Sequence, residues 1–250
     1  MRSLLLSLAQ GLGIVMLADF VAGLVHWFED AYGTAETPII GPLLIRPNIV
    51  HHHYPRFFTR LTWWQSSWDL LLIGLAVVGG AWACGLLTWQ VVLFAVVSVN
   101  ANQVHKWSHR TRAENGRVIS FLQDIRILQT PRQHALHHTD PKNTYYCPVT
   151  NLVNPLLERL QFWPRLEAVI VRLTGLTHRP DSSNRGAGPG PAWLAAYRAP
   201  APSRSEADAP RSSRPRARSV APTFTGPFLG ENPVARHVRL VTSLRNAVSS

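Results

Sequence analysis

The chain opens on an apolar run from Leu4 to Phe28, broken only by Ser7, Gln10, Asp19 and His26. A helix crosses the hydrocarbon of a bilayer with about 20 apolar residues, so this run predicts a transmembrane helix. It is too long for the apolar core of a signal peptide, and it ends in His26-Trp27-Phe28-Glu29-Asp30 rather than in a small-residue cleavage site. It therefore reads as a retained element of the fold. Asp19 is costly in lipid and is expected to face protein or a polar cavity.

Residues 31–69 are more polar and turn-rich, with Pro38, Pro42, Pro47 and Pro55, and they close on Trp63, Trp64 and Trp68. Tryptophans so placed suit an aromatic belt at headgroup level. A second apolar run spans Leu70 to Leu87 and a third Trp89 to Val104. Each is short for a complete crossing, and together they predict a helical hairpin that leaves one face and returns to it. Val118–Leu128 and Leu152–Leu173 mix apolar and charged residues at helical spacing and read as interfacial or packing helices. From Asp181 onward the chain is Pro, Ala, Ser, Gly and Arg, the composition of a disordered tail. The predicted fold is all-α: an integral membrane helical domain over residues 1–180, with about three membrane-embedded helices, followed by the tail 181–250.

That topology sorts the histidines. The first helix delivers His26 to one face, the loop carrying His51, His52 and His53 stays there, and the hairpin returns with His105 and His109. The same face holds Arg46, Arg56, Arg60, Lys106, Arg110, Arg112, Arg117, Arg126 and Arg132, which makes it cytoplasmic by the positive-inside rule. Charge adds little more. Ten arginines, no lysine and four acids in residues 181–250 give a net +6 of the chain's +11, so the basic balance says little about the folded part and fits a protein lying against anionic headgroups. Two cysteines, Cys84 in an apolar run and Cys147 in a polar loop, exclude a disulfide framework.

The metal-capable residue in excess is histidine, with eleven. His105-Lys106-Trp107-Ser108-His109 sets two imidazoles four apart, and His134-Ala135-Leu136-His137-His138 sets three at i, i+3 and i+4, spacings that put side chains on one helical face. Asp30 lies one turn beyond His26 as a ligand or as an acceptor behind one. Each arrangement has a plainer reading: an interfacial His26, a solvated His51–His53 run, a chance pair at 105 and 109. Their shared face is what favours metal. Catalytic zinc takes three protein ligands, and so many imidazoles instead fit two ions with nitrogen-rich shells, for which iron with open positions for dioxygen is one occupant. His178 and His237 receive no role.

At these residues the sequence resembles the plasmanylethanolamine desaturase (CarF-like) family over roughly Asp19 to Asp181. The resemblance rests on His26-Trp27 with Asp30, on Ile45-Arg46-Pro47 followed by His51-His52 and Pro55, and on Asn102-Gln103-Val104-His105-Lys106-Trp107-Ser108-His109. It continues through Pro131-Arg132-Gln133-His134-Ala135-Leu136-His137-His138, Thr144-Tyr145-Tyr146-Cys147 and Asn154-Pro155-Leu156-Leu157-Glu158. It implies an oxygen-dependent oxidoreductase of the histidine-ligated di-iron class, which converts an alkyl ether phospholipid into the vinyl ether of a plasmalogen. The implied ligands are His26, His51, His52, His105, His109, His134, His137 and His138, with two Fe ions as cofactors and dioxygen as co-substrate. The implied partners are a membrane phospholipid and a cytoplasmic electron donor, a ferredoxin or small cytochrome, at the bacterial inner membrane. The family pattern carries a further His-Asp pair after the arginine aligned with Arg60. Here Leu61-Thr62 follows, so His53 takes that place or the specificity differs. Lys106, Arg110 and Arg132 are candidates for docking a headgroup or the donor, beside their plain reading as positive-inside charge. The remaining alternatives are a lipid or carotenoid desaturase or hydroxylase of the same metal class, a membrane zinc hydrolase using Glu29 or Asp30 as general base, and a non-catalytic membrane regulator.

Overall fold

A computed structural model describes residues 2–180 and 192–197, and every regular element among them is helical. The chain divides into two units, Met1–Gly190 and Pro191–Ser250. In the second, a 3-10 turn, Ala192–Tyr197, is described. The rest of the expected disordered tail lies outside the described residues.

α1 runs unbroken over Arg2–Ala31. A π-helical turn, Gly41–Ile45, leads directly into α2, Arg46–His53, with Arg46 N–H bonded back to Gly41 O and Pro47 at the junction of the two. α3 is the single turn Pro55–Phe58. α4, Trp63–Ala83, starts on a reciprocal capping box between Thr62 and Gln65. It stops at Gly85, whose φ of 68° only glycine adopts cheaply; Leu86 N–H bonds Ala81 O and Gly85 N–H bonds Trp82 O, closing the last carbonyls. α5, Trp89–Val99, returns beside α4 and packs on α1, so the expected hairpin is present. At Asn100 the helix breaks, with Trp63 Nε1–H bonded to Asn100 Oδ1, and α6, Ala101–Ser108, carries the chain on.

Two helices, Ser3–Ala31 and Trp63–Ala83, are long and apolar enough to cross a membrane, and α5 is shorter. Leu6, Leu8 and Leu12 on α1 and Leu72, Ile73 and Leu75 on α4 are exposed. A continuous apolar surface of this kind calls for lipid rather than water around it. The inner side of α1 belongs to the core, with Ala18, Asp19, His26, Trp27, Asp30 and Ala31 buried.

The remaining helices are α7, Arg112–Asp124, interrupted at Gly116 (φ 72°), α8, Pro131–His137, α9, Val153–Arg159, and α10, Phe162–Thr174. The stretch expected as one helix from Leu152 to Leu173 is thus two. Gln161 turns at φ 50°, and Pro164 restarts the chain as a first-turn residue. α9 and α10 close a core of Trp27, Ala31, Tyr146, Cys147, Val153, Leu157 and Trp163.

Asp19 fastens that core across the chain. Its Oδ1 accepts the N–H of Val149 at 2.7 Å, and Oδ2 accepts the N–H and hydroxyl of Thr150 at 2.8 and 2.7 Å. The expectation that this acid faces protein holds. One turn on, a Cβ at Gly23 would stand 2.4 Å from Cys147 Sγ, so only glycine lets the 146–150 segment lie on α1.

Candidate metal centre

Four helices converge on the site. α1 supplies His26 and Asp30, α2 supplies His51 and His52, α6 and its C-cap supply His105 and His109, and α8 and its C-cap supply His134, His137 and His138. The His51–His53 run was expected in a loop. It lies instead in the last turn of α2, where helical geometry turns His51 and His52 inward and His53 away.

The side chains sort into two groups. His51, His105, His109, His134 and His138 form one, and His26, Asp30, His52 and His137 the other; within each, one ligand atom per residue lies within 4.8 Å of every other. All eight expected histidines are in these groups, with Asp30 added. His53 is in neither, and its ring lies against Tyr54.

In the five-histidine group, His134 Nε2 lies 2.9 Å from His105 Nε2, 2.8 Å from His109 Nε2 and 3.0 Å from His138 Nε2, and His138 Nε2 lies 3.1 Å from His51 Nε2. One ring nitrogen has a single proton or a single lone pair, so three such contacts cannot all be hydrogen bonds. A shared cation satisfies them together: nitrogens bound at about 2.1 Å and at right angles to one another stand about 3.0 Å apart. Burial, and then the charge each ring would place on its neighbours, push the His51, His105 and His134 imidazoles well down. The same causes bring His109 down to about 3. All are neutral, the form that binds metal.

The second group is mixed. His137 Nε2 is 3.3 Å from His52 Nε2, and the Asp30 carboxylate lies 3.2 Å from His52 Nε2 and 3.5 Å from His137 Nε2. His26 Nε2 and Asp30 Oδ2 are buried without hydrogen-bond partners, the state of two donors aimed at an ion. The outer partners fix the orientation. His26 Nδ1–H donates to Tyr146 O at 3.0 Å and His137 Nδ1–H to Thr144 O at 2.8 Å, leaving both Nε2 atoms inward. Asn48 Nδ2 donates to Asp30 Oδ1 at 2.5 Å. Sequence reasoning missed Asn48, although its spacing to His51 and His52 becomes a helical face once α2 is read as a helix.

The three cations expected at the surface divide. Lys106 is buried, its ammonium donating to Leu61 O and Thr62 O at 3.1 and 3.4 Å, and burial beside Arg110 lowers it to about 8. Arg110 donates to Thr59 O at 2.8 Å, and Arg56 donates to His109 O at 2.8 Å. These side chains clamp the Tyr54–Thr62 strap, which sets Phe58 against the rings of His51 and His105 with centroids 5.2 and 5.1 Å away. Arg132 is exposed in the first turn of α8.

Residues 15–181 match the family model described as the lipid desaturase domain. The chain is 34% identical over 175 residues to the plasmanylethanolamine desaturase of Myxococcus xanthus, covering 66% of this chain and 61% of that one, so less than two thirds of that relative is spanned. It is 35% identical over 185 residues to plasmanylethanolamine desaturase 1 of Mus musculus, with 68% of each chain covered. It is 30% identical over 167 residues to the chloroplastic fatty acid desaturase 4 of Arabidopsis thaliana, covering 66% of this chain and 51% of that one. No solved structure matches. With the matched stretch carrying every histidine of both groups, the chain belongs to the lipid desaturase domain family.

Proposed function

We propose that this protein is a di-iron, oxygen-dependent desaturase that forms the vinyl ether bond of plasmalogens from alkyl ether phospholipids. The observation that carries the reading is the pair of adjacent, largely buried, nitrogen-rich groups at the ends of helices whose outer faces are apolar. His51, His105, His109, His134 and His138 would hold one iron, and His26, Asp30, His52 and His137 the other. Iron bound there would supply the activation of dioxygen. Two hydrogens leave adjacent carbons of the alkyl chain beside the ether oxygen, two electrons arrive from a ferredoxin or small cytochrome with two protons from the aqueous side, and dioxygen departs as two molecules of water.

The protein's own part is positioning. Tyr146 O and Thr144 O hold the tautomers of His26 and His137, and Asn48 holds Asp30. Phe58 shields His51 and His105 from water. The positive-inside charge supports a metal centre on the cytoplasmic face of a multi-pass protein of the bacterial inner membrane. Arg132 remains available to a headgroup or to the donor. A zinc hydrolase would leave most of these imidazoles without a task. The relatives named fatty acid desaturases favour acyl-chain desaturation as the second reading.

Expression in a host without vinyl ether lipids, fed an alkyl glycerol, tests the assignment. Acid-labile vinyl ether lipid is expected by mass spectrometry with the natural chain and not with His109→Ala. An unchanged ether-lipid pool in cells containing folded, iron-loaded protein contradicts the plasmalogen assignment, and new double bonds in acyl chains would support the second reading.

A further inference from the structure

Past α10, residues 175–180 have no regular structure and are exposed except at His178 and Arg179. Arg179 reaches the end of α1. That helix closes with Tyr32 N–H and Gly33 N–H both bonded to Phe28 O, so Glu29 O and Ala31 O receive no bond from within the helix. Arg179 supplies both. Its backbone N–H bonds Ala31 O at 2.6 Å, and its Nη2 donates to Glu29 O at 3.1 Å. Glu29 and Ala31 flank Asp30, the carboxylate of the second metal group. Arg179 therefore holds the backbone on both sides of the residue whose side chain Asn48 holds at Oδ1.

The strap has a second anchor beside the same group. His178 Nδ1–H donates to Arg179 O at 2.7 Å, and Nε2 accepts the Tyr146 hydroxyl at 3.3 Å. A plain cap for α1 accounts for the two carbonyl bonds. It does not account for the side chain chosen: Arg179 Nε is buried without a partner, a loss that a cap serving stability alone has no reason to carry.

We propose that Arg179 is a positioning residue for the second metal group, locking the last turn of α1 so that His26 and Asp30, one turn apart, present to the ion together. This rests on the reading of the two groups as metal sites. The guanidinium brings positive charge to a helix C-terminus, where the peptide dipoles favour it. Without it the last turn frays and Asp30 leaves His52 and His137, so the second group keeps three imidazoles and loses the negative charge that offsets the cation. The five-histidine group takes no ligand from α1 and does not depend on Arg179.

The test uses the full chain in detergent, loaded with isotope-enriched iron and read by metal analysis and by Mössbauer spectra, which resolve the two iron environments. The natural chain is expected to hold about two irons. Arg179→Met keeps the backbone N–H and the bulk of the side chain but loses the charge and the donors. It should hold about one iron, with the five-histidine environment unchanged. Arg179→Lys restores a charged donor and should recover most of the second iron, a rescue that packing alone would not give. A measurement on the natural chain guards against a variant that fails to fold. Coupling is reciprocal, so iron should slow hydrogen exchange at the Arg179 amide several-fold while leaving the Leu176 amide, bonded only to Thr174 Oγ1, unchanged. Folded Arg179→Met that keeps both irons at natural affinity, or an Arg179 amide indifferent to iron, overturns the positioning role and leaves the metal reading standing. A folded natural chain without bound iron overturns both.

Discussion

Asp19 and Thr150 stand 131 positions apart, yet one carboxylate oxygen accepts both the backbone N–H and the hydroxyl of the threonine. That contact, in the middle of an apolar helix, fixes the 146–150 segment on which His26 depends for its acceptor, Tyr146 O. Asp19→Ala strands two buried backbone N–H groups and a hydroxyl, each at about 1–3 kcal/mol. A fall of several kcal/mol in stability is expected, read as a lowered thermal midpoint in detergent, with Asp19→Asn intermediate because it keeps one acceptor oxygen.

Arg110 grips Thr59 O, and Lys106 grips Leu61 O and Thr62 O, so the exposed Arg60 lies in a strap held at neighbouring residues. Loosening it should open the chain to protease. Arg110→Ala is expected to speed tryptic cleavage after Arg60, read by mass spectrometry of timed digests, while cleavage after the distant Arg172 stays unchanged.

The Arg56–Glu114 pair gives the fold a pH dependence of known sign. The Arg56 guanidinium, 2.5 Å away, and the Thr111 N–H hold the Glu114 carboxyl down to about 2. A carboxylate lowered in the folded state adds stability above its ordinary range near 4.5, and that stability is lost as pH falls from there through about 2. Both partners are substantially exposed, so solvent screening limits the pair to about 0.2–1 kcal/mol. The stability gap between the natural chain and Glu114→Gln should be present at pH 7, shrink below pH about 4.5, and shrink also with added salt.

The hydrophobic pattern made the first helix, the α4–α5 hairpin and the shared face of the histidines legible, because apolar runs and helical spacings are local properties. Three features were not. His51 and His52 read as a loop because Pro47 and Pro55 bracket them, whereas Pro47 stands at the junction where the π-helical turn passes into α2. Lys106 read as a surface charge, since nothing in its neighbours announces the Leu61 and Thr62 carbonyls brought to it by a turn 45 residues away. Tyr146 is covered by Trp163 and meets His178 only because α10 and the residues after it fold back on the 146–150 segment, a contact invisible along the chain.

The metal content of purified, folded protein tests the central claim most directly. Two ligand groups, one of five imidazoles and one of three imidazoles with Asp30, predict about two iron ions per chain. His53→Ala should keep both, since His53 stands outside the groups. Asp30→Asn combined with Asn48→Ala should retain about one, leaving the five-histidine group filled. A folded chain that binds no transition metal, or a single zinc unaffected by the Asp30 and Asn48 changes, would contradict the account.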